Sequence, residues 1–258
     1  MEPILHPPAA LTPEILASAA RLPGTFPAAP DDWLRVDGAF AAQMAARDRL
    51  VADRGEDVVW MAAEARPAAV ETLDAALEWA APRGFTRRGQ TVTRPDGKRV
   101  LLNRVTPLAA LARLVQQDVC ILERRGTEHV LTAAAVCFPA SWTLAEKRLK
   151  PLTAIHAPVT EYGPGLAARV QRLFDGIKPG RPLWRANALA YDDPALYQPR
   201  LEADPRPAPG RREFIRSEVQ VLARLPRTGA IVFTIHTQVI DRTGLSVAQA
   251  NTLAERGV

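Results

Sequence analysis

Apolar and polar residues alternate most regularly in the last third of the chain. Leu183–Tyr191, Glu213–Leu222 and Ala230–Ile240 each follow period two, which predicts three strands. Two earlier apolar runs, DVCILER from Asp118 and EHVLTAAAVCF from Glu128, flank a turn at Gly126 and read as an antiparallel pair. Helical spacing governs most of the remainder. The run AFAAQMAARDRLVAD lies between Asp37 and Arg54, and Val70, Leu73, Leu77 and Ala81 form one stripe within Ala68–Ala81. A third helix opens at Thr106-Pro107 and runs to about Gln116. A fourth carries Leu166, Val170, Leu173, Phe174 and Ile177 on one side, keeps Arg169 and Arg172 off it, and stops at Lys178-Pro179-Gly180.

Turn chemistry places the smaller pieces. TVTRPDGKRVLLN, from Thr91 to Asn103, turns at Asp96-Gly97 as a small hairpin. Residues 1–30 form a Pro-rich arm in which Thr12-Pro13-Glu14 opens a short helix, and Ser246 caps a closing helix that ends near Ala254. The stretch from Asp192 to Gly210 is a Pro-rich loop. The prediction is an α+β protein: a largely helical region over 1–116 packed, as one continuous domain, on an antiparallel core over 117–258.

Composition narrows the classes. At 258 residues and 47% hydrophobic content, the chain can bury a full core. No apolar run is long enough to span a bilayer, and MEPILHPPAALTPE lacks a basic segment followed by an apolar one, so a cytoplasmic protein without membrane contact is expected. The pI near 9.7 comes mainly from arginines scattered along the chain, densest at Arg87–Arg88 and Arg211–Arg212, so no nucleic-acid partner is expected. Cys120 and Cys137 are the only cysteines, too few for a four-thiolate iron–sulfur cluster or a disulfide framework.

Candidate chemistry sits in two places. In the last three strands Arg185, Asn187 and Tyr191 share a face, as do Arg216, Glu218 and Gln220, and as do Thr234, His236 and Gln238. If the three sets meet, they make either a wet sheet face or a hydrogen-bonded pocket around Glu218. The other place is FPASWTLAEKRLKPLTAIHAPV, from Phe138 to Val159. His156 stands there after Ala154-Ile155 and before Ala157-Pro158, in a setting that suits either a histidine satisfied by a backbone carbonyl or an axial haem ligand.

Long motifs in one order decide the matter at the level of family. They are Asp32-Trp33-Leu34, LARLVQQDVCIL ending at Leu122, CFPASWTLAEK (Cys137–Lys147), IHAPV (Ile155–Val159), RVQRLFDGIKPGRPLWRAN (Arg169–Asn187) and RREFIRSEVQVLARLPRTGAIVFTI (Arg211–Ile235). In these the chain resembles the haem-dependent oxidative N-demethylases, specifically their haem-bearing alpha subunit. The resemblance implies a PAS-like fold holding haem b, O2 activated at the iron, and a small secondary amine such as dimethylamine losing a methyl group. It also implies a flavin and iron–sulfur reductase subunit, with FMN, a [2Fe–2S] centre and tetrahydrofolate carried on partner subunits.

Residue by residue, the resemblance implies that His156 of the IH-x-PV motif is the proximal iron ligand. A ligating histidine normally donates its other ring N–H, so an acceptor is expected beside it. Glu218 would hold the cationic amine, Arg216, Arg224 and Arg185 would polarise bound O2, and Trp184 and Asn187 of the WRAN element would contact the cofactor. The chain departs from the family's pattern at His236, where arginine is common, at Val219 after RSE, and in lacking a tryptophan after WRAN. His236 is thus expected in the distal pocket, where it would change the charge or take the sixth iron position and turn the protein into a sensor or carrier. A haemless relative whose Glu218 and arginines bind another small ligand is the remaining alternative.

Overall fold

A computed structural model describes residues 2–19, 24–159, 162–205 and 210–258. Its helices are α1 (Pro13–Ala19), α2 (Phe40–Asp53), α3 (Gly55–Val58), α4 (Arg66–Ala80), α5 (Pro107–Leu114), α6 (Leu152–Ile155), α7 (Pro164–Gly176) and α8 (Val247–Ala254). The strands are β1 (Phe26–Pro27), β2 (Val59–Met61), β3 (Thr86–Arg88), β4 (Thr91–Thr93), β5 (Arg99–Leu101), β6 (Asp118–Arg125), β7 (Glu128–Ala135), β8 (Leu183–Tyr191), β9 (Phe214–Arg224) and β10 (Ile231–Asp241). The arrangement is α+β, as the periodicities predict. Residues 20–23 of the arm and 206–209 of the Pro-rich loop lie outside the described residues.

Seven strands make one antiparallel sheet in the order β1-β8-β9-β10-β6-β7-β2, and β3-β4-β5 make a smaller one. The five long strands are those that the three alternating segments and the two apolar runs predict. β1 and β2 extend the sheet at both edges from the first part of the chain, each too short to display a period of its own. Local signals act where expected: Pro67 lies in the first turn of α4, and Ser246 and Gln249 form a reciprocal capping box on α8.

Register decides which residues share a face. Leu183 pairs with Leu222, and Arg224 pairs with Ile231. Odd residues of β8 therefore stand beside even residues of β9, and these beside odd residues of β10. One face carries Leu222, Ile231 and Leu122 and packs under Leu152 of α6, Phe174 of α7 and the following Ile177. We call it the α7 face. The opposite, α1 face carries Ala186, Ala188, Ile215, Val219 and Ile240 and packs on Ile15 and Leu16 of α1, with Leu253 of α8. Farther along that face Val119, Ile121, Val221 and Val232 meet apolar residues of α2, α4 and α5. Each fully buried Leu or Ile of these layers is worth roughly 1.5–3 kcal/mol against exposure.

Strand β10 outlasts its neighbour. Pairing with β6 ends at Ile235 opposite Asp118, which leaves the edge of β10 bare beyond it. The chain's first part fills the gap: Gln43 of α2 donates its Nε2 to the Thr237 carbonyl at 2.9 Å, and the His6 N–H donates to the Val239 carbonyl at 2.7 Å. Among the described residues no helix is long and apolar enough to cross a membrane.

Candidate functional site

The α7 face gathers a polar cluster from adjacent strands. Glu218 of β9 is paired with Asn187 of β8, and Gln220 with Arg185, so all four side chains leave the sheet on one side. Asn187 Nδ2 and Gln220 Nε2 each donate to Glu218 Oε2 at 3.1 Å. Asn187 also accepts the Glu218 backbone N–H through its Oδ1, which locks the amide's orientation. Arg216 approaches the other carboxylate oxygen, Oε1, at 3.4 Å. Glu218 is only 8% exposed, so this charge is held almost out of water.

The three arginines expected here differ sharply. Arg216, buried on the same face, donates to the carbonyls of Leu196 and Phe138 at 3.0 and 2.6 Å and lies over the Tyr191 ring. It fastens two loops to the sheet while remaining the cation nearest Glu218. Arg185 makes one bond, to Gln220 Oε1 at 3.2 Å, and its buried Nε has no partner. Burial pushes its guanidinium below the ordinary value, with the charge of Glu218 working against that shift. Arg224 is bound to backbone instead. Its Nε, NH1 and NH2 donate to the carbonyls of Ile177, Gly229 and Phe174 at 2.7, 2.6 and 2.7 Å. It closes the C-terminal end of α7, with each of its three nitrogens bound to a backbone carbonyl.

His156 follows α6 directly, beneath α7. Its Nδ1–H donates to the Leu152 carbonyl at 2.8 Å, a partner expected under either reading of this histidine. That bond selects the tautomer and leaves Nε2 with its lone pair. Burial holds the imidazole below its usual pKa, with Lys147 and Arg185 adding repulsion, so the ring is neutral at pH 7. Tyr162 stacks on it at 4.4 Å and fixes the ring plane. Lys147, bound to the Ile155 carbonyl and to Glu202, pins the end of α6. His156 reaches the Glu218 cluster only through the field of Arg185.

Two expected site residues lie elsewhere. His236 is opposite Val219, not Glu218, so its side chain leaves the sheet on the α1 face. Trp184 also points to that side, packed 5.6 Å from Phe26, while its neighbour Arg185 points to the other. Neither can share a pocket with Glu218 and Asn187. His236 instead donates through Nε2 to Asp37 Oδ2 at 2.8 Å, and His6 does the same at 3.0 Å. Burial alone would raise the Asp37 pKa, but the bonds from His236 and His6, with Gln116, hold it far below the carboxylate range. A cleft of about 820 Å³ opens beside this cluster and is lined by His6, Asp37, Arg35, Trp184 and Gln238.

Reasoning from sequence missed Gln220 as a connector, although alternation had put it on the correct face. It also missed His6 and Asp37, which lie far from His236 along the chain and carry no local pattern.

The α7 face thus carries a buried carboxylate with amide and guanidinium neighbours, and a neutral histidine stands at the end of α6 on the same side of the sheet. Residues 24–255 match the family described as haem-dependent oxidative N-demethylase, alpha subunit-like, and the chain belongs to that family. The description names haem as the family's cofactor and oxidation as its chemistry, and its subunit label places it within a multi-subunit enzyme. The donors present fit a haem group: His156 offers one imidazole nitrogen oriented from behind, and Arg185 keeps a buried N–H that the protein does not use.

Proposed function

We propose that this chain is the haem-bearing subunit of an enzyme that oxidatively demethylates a small secondary amine, dimethylamine being the type. His156 would hold the iron of haem b through Nε2, with Asn187 beside the cofactor. When bound, the haem supplies O2 activation; electrons would reach it from a flavin and iron–sulfur partner. The observation that carries this reading is the His156 ring, with Nδ1 committed to Leu152 and Nε2 unpartnered, within the family's matched span. The five long strands run second-first-fifth-fourth-third across the sheet with a helical crossover after the second, and this supports the PAS-like reading.

The protein's own groups explain the choice of an amine. A dialkylammonium needs a carboxylate it can reach, and Glu218 Oε1 carries only the long Arg216 contact while Oε2 is filled by two amides. A charge-assisted N–H bond to Oε1 would restore the balance of a nearly buried anion. Arg185, with an unused Nε–H, is the donor best placed to offset negative charge that develops near the amine. The rival in which His236 closes the iron loses its basis, because His236 lies on the other face.

The test is the visible spectrum of protein purified with haem supplied. Wild type should show a Soret band, and His156→Ala should lose most of the haem or its native spectrum. Glu218→Gln should keep haem and lose the amine-induced spectral change. An unaltered spectrum in His156→Ala removes the ligand assignment, and a normal amine response in Glu218→Gln removes the anchor.

A further inference from the structure

The His6–Asp37–His236 cluster plays no part in the chemistry above, yet it is the densest set of metal-ligand side chains among the described residues. We propose that it is a second metal site, binding a divalent ion of the zinc class through His6 Nε2, His236 Nε2 and Asp37 Oδ2. The three ligand atoms lie within 4.8 Å of one another. Two imidazoles and one carboxylate are a recurrent donor set for zinc and for non-haem iron(II), with the remaining positions open. His6 and His236 are 5% and 2% exposed, while Asp37 and His6 border the 820 Å³ cleft, so a fourth, water-bearing position would face that cleft.

The surroundings orient each ligand. Asp37 Oδ1 accepts the Ala39 N–H at 2.9 Å and Gln116 Nε2 at 2.7 Å, which aims Oδ2 at the two rings. His236 Nδ1 meets Gln117 Nε2 at 2.9 Å, and His6 Nδ1 meets the Val239 N–H at 3.3 Å. Without a cation both rings therefore carry their proton on Nε2 and give it to Asp37. Metal binding moves each proton to Nδ1 with no net release. For His236 the cost is small: Gln117 Oε1 is buried with no partner, and turning the amide would present it to Nδ1–H, at the expense of the 3.0 Å bond from Gln117 to the Arg35 carbonyl. For His6 a proton on Nδ1 would face the Val239 N–H, so the ring must turn out of that 3.3 Å contact to bind the ion.

The geometry spans parts of the chain remote in sequence: the arm, the segment before α2, and β10. An ion there would tie the arm to the sheet. It stands apart from the haem reading, since it lies on the opposite face.

The experiment is calorimetric titration of the haem-containing protein, stripped by chelator, with Zn2+, followed by metal analysis and zinc-edge absorption. One zinc per chain is expected, beyond the haem iron, with nitrogen and oxygen neighbours at about 2.0–2.2 Å. Asp37→Asn and His6→Gln should each weaken it by more than about 100-fold, because loss of a direct ligand exceeds the 10–100-fold cost of losing an outer partner. His156→Ala should bind zinc normally even if it loses haem. The proposal is overturned if no zinc binds below about 100 μM (roughly −5.5 kcal/mol), leaving a hydrogen-bond cluster only. It is also overturned if folded His6→Gln binds as wild type does.

Discussion

Arg224 and Arg185 stand on the same face of the same sheet, one strand apart, and period-two alternation treats them alike. The end of the face around Arg224 is closed. Three carbonyls, from Phe174, Ile177 and Gly229, each take a hydrogen bond from one of its three nitrogens. The middle around Arg185 is open: one bond to Gln220, one orphaned N–H, and a carboxylate two residues away in β9 that is propped by amides instead of a tight ion pair. Buried polar groups are almost always paired, so an exception points either to strain or to an absent partner. The difference teaches that a polar face does not define a site. An unsatisfied buried donor marks where on that face a ligand is to be sought.

The comparison can be broken most forcefully at Arg216, which holds two carbonyls as Arg224 holds three and also approaches Glu218. Arg216→Met would free the Phe138 and Leu196 carbonyls and leave Glu218 without its nearest cation. Removing one partner of a buried ion pair costs about 3–5 kcal/mol, and that loss is expected in the denaturant-extrapolated stability. A loss below about 1 kcal/mol would mean that Glu218 tolerates burial alone, and the amine would then not be needed to balance it. Arg224→Ala comes second. Losing charge-assisted bonds to three carbonyls should cost about 2–3 kcal/mol, while folded protein keeps its haem spectrum and its amine response. Should Arg224→Ala abolish the amine response at full haem content, the closed end belongs to the site after all.

The sheet was legible in the sequence because its last three long strands alternate, as in Trp184-Arg185-Ala186-Asn187, and the other two are short apolar runs flanking a glycine turn. The phase between strands was not. Within each strand the polar set was right, but joining Thr234, His236 and Gln238 to Arg216, Glu218 and Gln220 assumed a register that the Leu225–Ala230 connection does not produce. A shift of one residue exchanges faces, and nothing in either strand's own pattern reports it. Trp184 failed for a related reason: a tryptophan next to Arg185 in sequence is on the other side in space. His6 and Asp37 were illegible because their meaning depends on β10 outrunning β6, which only the assembled sheet reveals. His156 was legible as a pair of alternatives, and the Leu152 carbonyl satisfies the first without excluding the second, since it occupies only Nδ1.

The smallest expected effect is the most discriminating. Arg185→Leu removes a single 3.2 Å bond and, with it, a buried N–H that has no acceptor. Deleting an unsatisfied polar group offsets the loss of a neutral-acceptor bond, so stability should change by no more than about 1 kcal/mol in either direction. Gln220 Oε1 loses its donor, but Gln220 Nε2 still holds Glu218 in place. Function should respond quite differently, because the positive charge beside both His156 and Glu218 is gone. Turnover of an amine, or the spectral response to it, should fall by at least tenfold while the melting temperature stays within a few degrees. If Arg185→Leu instead costs as much stability as Arg224→Ala, both arginines are structural and the open middle of the face is not a site.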